Sequence, residues 1–196
     1  MTTTIVLARH GETDWNRESR FQGHADVPLN DDGRAQVRAL AELLAGEPFT
    51  AAYSSPLRRA AESAEILASA FGLSVHPSEA LREVDVGSWS GLTVAEVEAR
   101  YPEGFARWVD WRCEGWDDGE AYADLSRRVV EGLREIAARH PGEHVLVVTH
   151  GGPIRAAHAT ALGLSLDAVR GDRASVVENC ATVRIAIREG RIEAVH

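Results

Sequence analysis

The chain has 196 residues, 44% of them hydrophobic, and a net charge of −9 at neutral pH. That size suits one domain over 1–196 with a full core, and the acidic balance speaks against nucleic acid or an anionic membrane as partner. No apolar run nears the roughly 20 residues that cross a bilayer.

The start, MTTTIVLARHG, reads as a strand over 4–8 rather than a signal peptide, and it ends in Arg9-His10-Gly11. Residues 34–44 carry Ala35, Val37, Leu40, Leu43 and Leu44 at helical spacing. A second strand is expected at 51–54, then a helix over 56–71 opened by Pro56 and closed at Gly72. The stretch FARWVDWRCEGW sets Phe105, Trp108 and Trp111 three residues apart on one helical face. It is read as core or lid packing, with a substrate-facing aromatic wall as the alternative, and 93–120 as a lid or insertion. Residues 124–139 repeat Leu125, Val129, Leu133 and Ile136 near the helical period. HVLVVT is the strongest strand signal and runs into His150-Gly151-Gly152-Pro153, where the proline opens a helix. The tail ATVRIAIREGRIEAV alternates by twos around Glu189-Gly190, a hairpin at one sheet edge. Strands alternating with helices predict a three-layer αβα sandwich on a mostly parallel sheet.

Ligands of such sheets bind beyond the carboxyl ends of the strands. Arg9-His10-Gly11 and His150-Gly151-Gly152-Pro153 both fall there, and the second offers helix N-terminal N–H groups to an anion. All 21 basic residues are Arg, without one Lys, so an arginine counts only by its placement. Arg58 and Arg59 open a helix, where positive charge opposes the dipole; one of them is read as a ligand contact and the other as solvated. His24, His76, His140, His144, His158 and His196 show no metal-ligand spacing, and neither metal nor cofactor is expected. Cys113 and Cys180 match no metal or redox pattern, which suits a reduced, cytoplasmic setting.

LARHGETDWN, RFQGHADVPLNDDGRAQ, SSPLRRAAESAEIL, LREVDVGSWSG, DGEAYADLSRRV and VLVVTHGG follow one another along nearly the whole chain. Together they resemble the histidine phosphatase superfamily in its phosphoglycerate-mutase-like branch. The resemblance implies that fold, and His10 as a nucleophile that becomes a phosphohistidine. It implies Arg9 and Arg59 as clamps on the transferred phosphoryl, His150 as a further hydrogen-bond donor, and Asn16 completing the pocket. Gln22 and Gly23 fall in the loop that contacts the substrate phosphate, while Gly11 and Gly151 would leave room for it. Glu83 matches the general acid, with Asp85 as its rival. The chemistry is consistent: a neutral imidazole attacks a phosphate dianion without repulsion, and planar guanidinium forks bind two oxygens at once.

Mutases of the branch carry a Tyr shortly after the acid, a Lys beyond it and a paired Arg; here stand Val86, Val94 and the single Arg112. The resemblance therefore favours a metal-independent phosphatase acting on a small phosphorylated metabolite, with a phosphoglycerate mutase and a non-catalytic phospholigand-binding module as rivals. The LREVDVGSWSG and DGEAYADL blocks resemble α-ribazole-phosphate and fructose-2,6-bisphosphate phosphatases, although Ala121 replaces the usual Ser. A homodimer is compatible with the resemblance.

Overall fold

The computed structural model describes residues 1–110, 114–164 and 177–195. Trp111, Arg112, Cys113 and His196, singled out above, lie outside them. Six strands form one sheet: β1 (Thr2–Arg9), β2 (Phe49–Ser54), β3 (Val75–Pro77), β4 (His144–Thr149), β5 (Thr182–Arg188) and β6 (Arg191–Ala194). Their order is β3-β2-β4-β1-β5-β6. The β1–β4, β2–β4 and β2–β3 pairs are parallel, and only the C-terminal hairpin runs antiparallel, with β6 at the sheet edge.

Strand periodicity of two divides the central residues between two cores. Ile5, Leu7, Val145 and Val147 face one side, where α6 (Tyr122–Arg139) and α7 (Gly151–Ala161) supply Leu125, Val129, Leu133 and Ile154. Val6, Ala8, Leu146 and Val148 face the other, against Val37 and Leu40 of α2 (Asp31–Leu43) and Ala60, Ala64 and Leu67 of α3 (Arg58–Ala70). Helices on both faces make the three-layer αβα sandwich. Leu125, Val129 and Leu133 are fully buried, and truncating any one to Ala would cost about 2–5 kcal/mol.

Two helix starts differ from the sequence reading. The 34–44 helix begins earlier, at Asp31, because the Asn30 side chain accepts the Gly33 N–H as an N-cap. The 56–71 helix begins at Arg58 behind Leu57, so Pro56 sits ahead of it rather than in its first turn. Short helices α1 (Asp14–Arg17), α4 (Val94–Arg100) and α5 (Pro102–Val109) complete the described elements with two 3-10 turns, Glu79–Leu81 and Gly87–Trp89. Among the described residues no helix is long and apolar enough to cross a membrane.

Candidate active site

Strand register places the two glycine-flanked histidines together. Arg9 pairs with Thr149 across the parallel β1–β4 ladder, so His10 and His150 leave adjacent strands side by side, about 4.8 Å apart as strands are. Both are buried, and their rings meet edge-on with centroids 5.1 Å apart. On the far side of β4, β2 ends at Ser54; its continuation brings Ser55 and then Arg59, in the first turn of α3, to the same edge.

The His10 Nδ1 lies 2.7 Å from the Gly11 carbonyl oxygen. A carbonyl only accepts, so Nδ1 holds the ring proton and Nε2 carries the lone pair. Burial, then the charges of Arg59 and Arg9, hold the His10 pKa well below the ordinary imidazole value. His150 is pushed the same way by burial, Arg59, His10 and Arg9. Its Nε2 lies 2.8 Å from the Ser55 hydroxyl, which also accepts the Leu57 N–H at 3.3 Å. Among the described residues the Ser55 proton has no other acceptor, so it goes to Nε2 and leaves the ring proton on Nδ1, which is buried without a partner.

These two depressed histidines set a pH dependence of stability. Unfolded, each takes up a proton below about pH 6.5 that the folded site refuses, so the unfolded chain binds more protons and stability falls as pH drops. Each contributes a slope of up to about 1.4 kcal/mol per pH unit well below that pH. Thermal unfolding in phosphate-free buffer should show Tm falling from pH 7 to pH 5, with a shallower fall in His10→Asn; an unchanged slope in the variant would contradict the assignment.

Arg59 is 1% exposed, and burial lowers its pKa to about 10, assisted by Arg9 and opposed by Glu83. Its Nη1 and Nη2 donate to the Ala25 and Gly23 carbonyls, both at 2.8 Å, while Nε has no partner. Burial also lowers the Arg9 pKa; its Nη1 donates to the Val177 carbonyl and its Nε is likewise unpartnered. Thr13, fully buried, orients two amides: its hydroxyl lies 3.0 Å from Asn16 Oδ1 and 3.1 Å from Gln22 Oε1. With the oxygens engaged, the Asn16 and Gln22 amino groups remain as donors. Arg9, His10, Asn16, Gln22, Gly23, Arg59 and Glu83 all line one cavity of about 190 Å³. His150 and Gly151 do not line it.

Glu83 reaches this cavity from the segment after the 79–81 turn. Its Oε1 accepts the Val84 N–H at 2.9 Å and the Gly152 N–H at 3.1 Å, placing the carboxylate at the positive end of α7. Arg128 fixes that segment with all five of its N–H groups. Nη1 donates to the Ala80 and Arg82 carbonyls, and Nη2 to the Glu83 carbonyl. Nε and Nη2 form a forked pair with Glu120 at 2.6 and 2.7 Å. Asp85, the rival acid, spends an oxygen on the Gly87 N–H and does not line the cavity.

The glycines take other roles than those expected. A Cβ on Gly11 would lie 2.5 Å from the Gly33 carbonyl oxygen, so its bareness lets β1's outgoing loop pack on α2 rather than opening space for phosphate. A Cβ on Gly151 would make only ordinary contact with the Arg155 guanidinium at 3.5 Å, whereas one on Gly152 would come 2.3 Å from Glu83 Oε1. Gly152→Ala should therefore displace the Glu83 carboxylate and lower kcat by roughly 10²-fold or more, with Tm nearly unchanged because a side-chain end yields. Undiminished kcat would show the carboxylate's position to be immaterial.

The sequence reading did not find Ser55, Thr13, Arg128, Glu120 or Asn179, whose Nδ2 donates to the His10 carbonyl at 3.0 Å. Trp108 and Trp116 both line the cavity and also pack within the aromatic cluster around Trp89, so the two readings of the Trp-rich stretch hold together for them. Among the described residues no three His, Cys, Asp or Glu side chains are grouped as a metal would need.

Two buried histidines, the buried Arg59 and the half-buried Arg9 thus meet beyond the strand ends of a three-layer sandwich, a positively charged site suited to an anion. Residues 5–196 match the histidine phosphatase superfamily (branch 1), and the chain belongs to that family. It is 39% identical over 164 residues to phosphoserine phosphatase 1 of Hydrogenobacter thermophilus, covering 83% of this chain and 77% of that one. YhfR of Bacillus stearothermophilus superposes with a TM-score of 0.90 at 32% identity, over 98% of this chain and 95% of its own. The mycobacterial glucosyl-3-phosphoglycerate phosphatase, solved with VO3, gives 0.87 at 31% identity, over 97% and 95%. The chain is a phosphoric monoester hydrolase.

Proposed function

We propose that this phosphatase hydrolyses a small phosphomonoester metabolite through a phosphohistidine at His10, without a metal. One observation carries the reading: the buried His10, its Nδ1 held by the Gly11 carbonyl and its Nε2 thereby left as the free ring nitrogen, lines a cavity that the Arg9 and Arg59 guanidiniums share. The Nε2 lone pair attacks phosphorus while the bond to the leaving oxygen breaks, and Glu83 gives that oxygen its proton. The Glu83 carboxylate then takes a proton from water, the resulting hydroxide attacks phosphorus, and the P–N bond breaks to restore neutral His10. Arg9 and Arg59 neutralise the charge of the equatorial oxygens in both steps, and the His150 Nδ1–H, buried beside the His10 ring rather than on the cavity wall, is left to donate to a phosphoryl carried on His10. The Asn16 and Gln22 amino groups complete the oxygen cage. Residues 93–120, which bring Trp108 and Trp116 over the cavity, act as its lid and exclude bulk water from the first step.

Because a mutase shares the first step, the test is the fate of the phosphoryl group. Supplied with 3-phosphoglycerate and its bisphosphate, the enzyme should release inorganic phosphate. Formation of 2-phosphoglycerate without phosphate release would replace hydrolysis by isomerisation, and binding without any turnover would leave only a phospholigand-binding module.

A further inference from the structure

Arg155 stands apart from the other cavity arginines. It lies one turn into α7, half-buried, with its guanidinium folded over Gly151 and lining the cavity. Among the described residues it has neither a hydrogen bond nor an ion pair. Arg20, the other arginine at this wall, is occupied by Glu18, Glu96 and the Gly91 carbonyl. In a chain with 30 acidic residues against 21 arginines, a half-buried cation that pairs with no carboxylate among the described residues, although Glu83 lines the same cavity, is available to a ligand anion.

Its position shows which anion. Arg155 enters the cavity from α7, over Gly151, whereas Arg9 enters from the end of β1 and Arg59 from the first turn of α3. It is therefore a further guanidinium on the same cavity, added from a different wall. Aromatic rings of Phe21, Trp108 and Trp116 share that cavity. A guanidinium fork binds carboxylate and phosphate alike, and beside the transferred phosphoryl the space that remains suits the smaller, planar carboxylate. The cavity of about 190 Å³ admits only a small body.

We infer that Arg155 forms a second anion subsite, which selects small phosphomonoesters bearing a carboxylate a few bonds from the phosphate. This rests on the phosphatase reading above. The test compares kcat/KM for 3-phosphoglycerate and glycerol 3-phosphate, which differ only by a carboxylate against a CH2OH, with p-nitrophenyl phosphate as reference. Wild type should favour 3-phosphoglycerate by roughly 10–100-fold, the worth of one charge-assisted pair. Arg155→Gln should erase that preference, mainly through KM, and Arg155→Lys should restore part of it. Equal activity of wild type on the two esters, or an equal fall of both in Arg155→Gln, would overturn the inference while leaving the phosphatase intact. No phosphate release from any of the three, p-nitrophenyl phosphate included, would overturn the phosphatase reading and this inference with it.

Discussion

His10→Ala should lower kcat on the order of 10⁴-fold or more, the scale on which removing a nucleophile acts. The loss follows from geometry. No other unprotonated nitrogen lies in the cavity: His150 is fully buried, does not line it, and holds its own Nε2 against Ser55. The substitution also removes an imidazole that the site keeps from taking a proton, so the variant should fold and should still bind inorganic phosphate through Arg9 and Arg59. Steady-state phosphate release, with circular dichroism and phosphate titration as controls, reads the outcome. Activity within tenfold of wild type in a folded variant would remove His10 from the reaction.

Glu83→Gln has the second large effect, about 10²–10⁴-fold for a general acid, and its size should depend on the leaving group. An alkoxide leaves poorly without a proton, whereas p-nitrophenolate needs none. The variant should therefore lose at least tenfold more activity on an alkyl phosphate than on p-nitrophenyl phosphate. Glutamine can still accept the Gly152 and Val84 N–H groups through its amide oxygen, so the cavity keeps its shape. Equal losses on both esters would assign Glu83 to positioning rather than proton donation. Gly152→Ala, which moves the same carboxylate without altering its chemistry, should show the same leaving-group pattern.

Much of this arrangement could be read from residues. The apolar run of β4 and the two glycine-flanked histidines announce strand ends, and parallel pairing of β1 with β4 then makes neighbours of residues 140 positions apart. The short edge strand β3 escaped because three residues, one of them proline, hold no period. Helix α4 did leave a signal: Thr93 and Glu96 make reciprocal bonds as a capping box, a spacing visible in TVAE.

Arg128 and Arg155 were not legible for a different reason. With every basic residue an arginine, residue type cannot separate a clamp or an anion subsite from a solvated surface charge. Only three-dimensional placement distinguishes the five-donor grip of Arg128 from the salt-bridged exposure of Arg127. Likewise, the contact between Gly152 and Glu83 joins segments 69 residues apart, so local sequence pointed to Gly151 while the fold makes its neighbour the tighter position. Ser55 and Thr13 act through other side chains, and a hydroxyl's partner cannot be inferred from spacing.

The deepest physical commitment is the proton-free Nε2 of His10 and the bond it makes to phosphorus. Rapid base quench during turnover, followed by peptide mass spectrometry, examines that bond itself. The peptide containing residues 7–16 should gain the mass of one phosphoryl group, in an adduct that survives base, is lost in acid, and is missing in His10→Ala. Turnover with that peptide unmodified at every quench time, or the phosphoryl group found on another residue, would contradict the account.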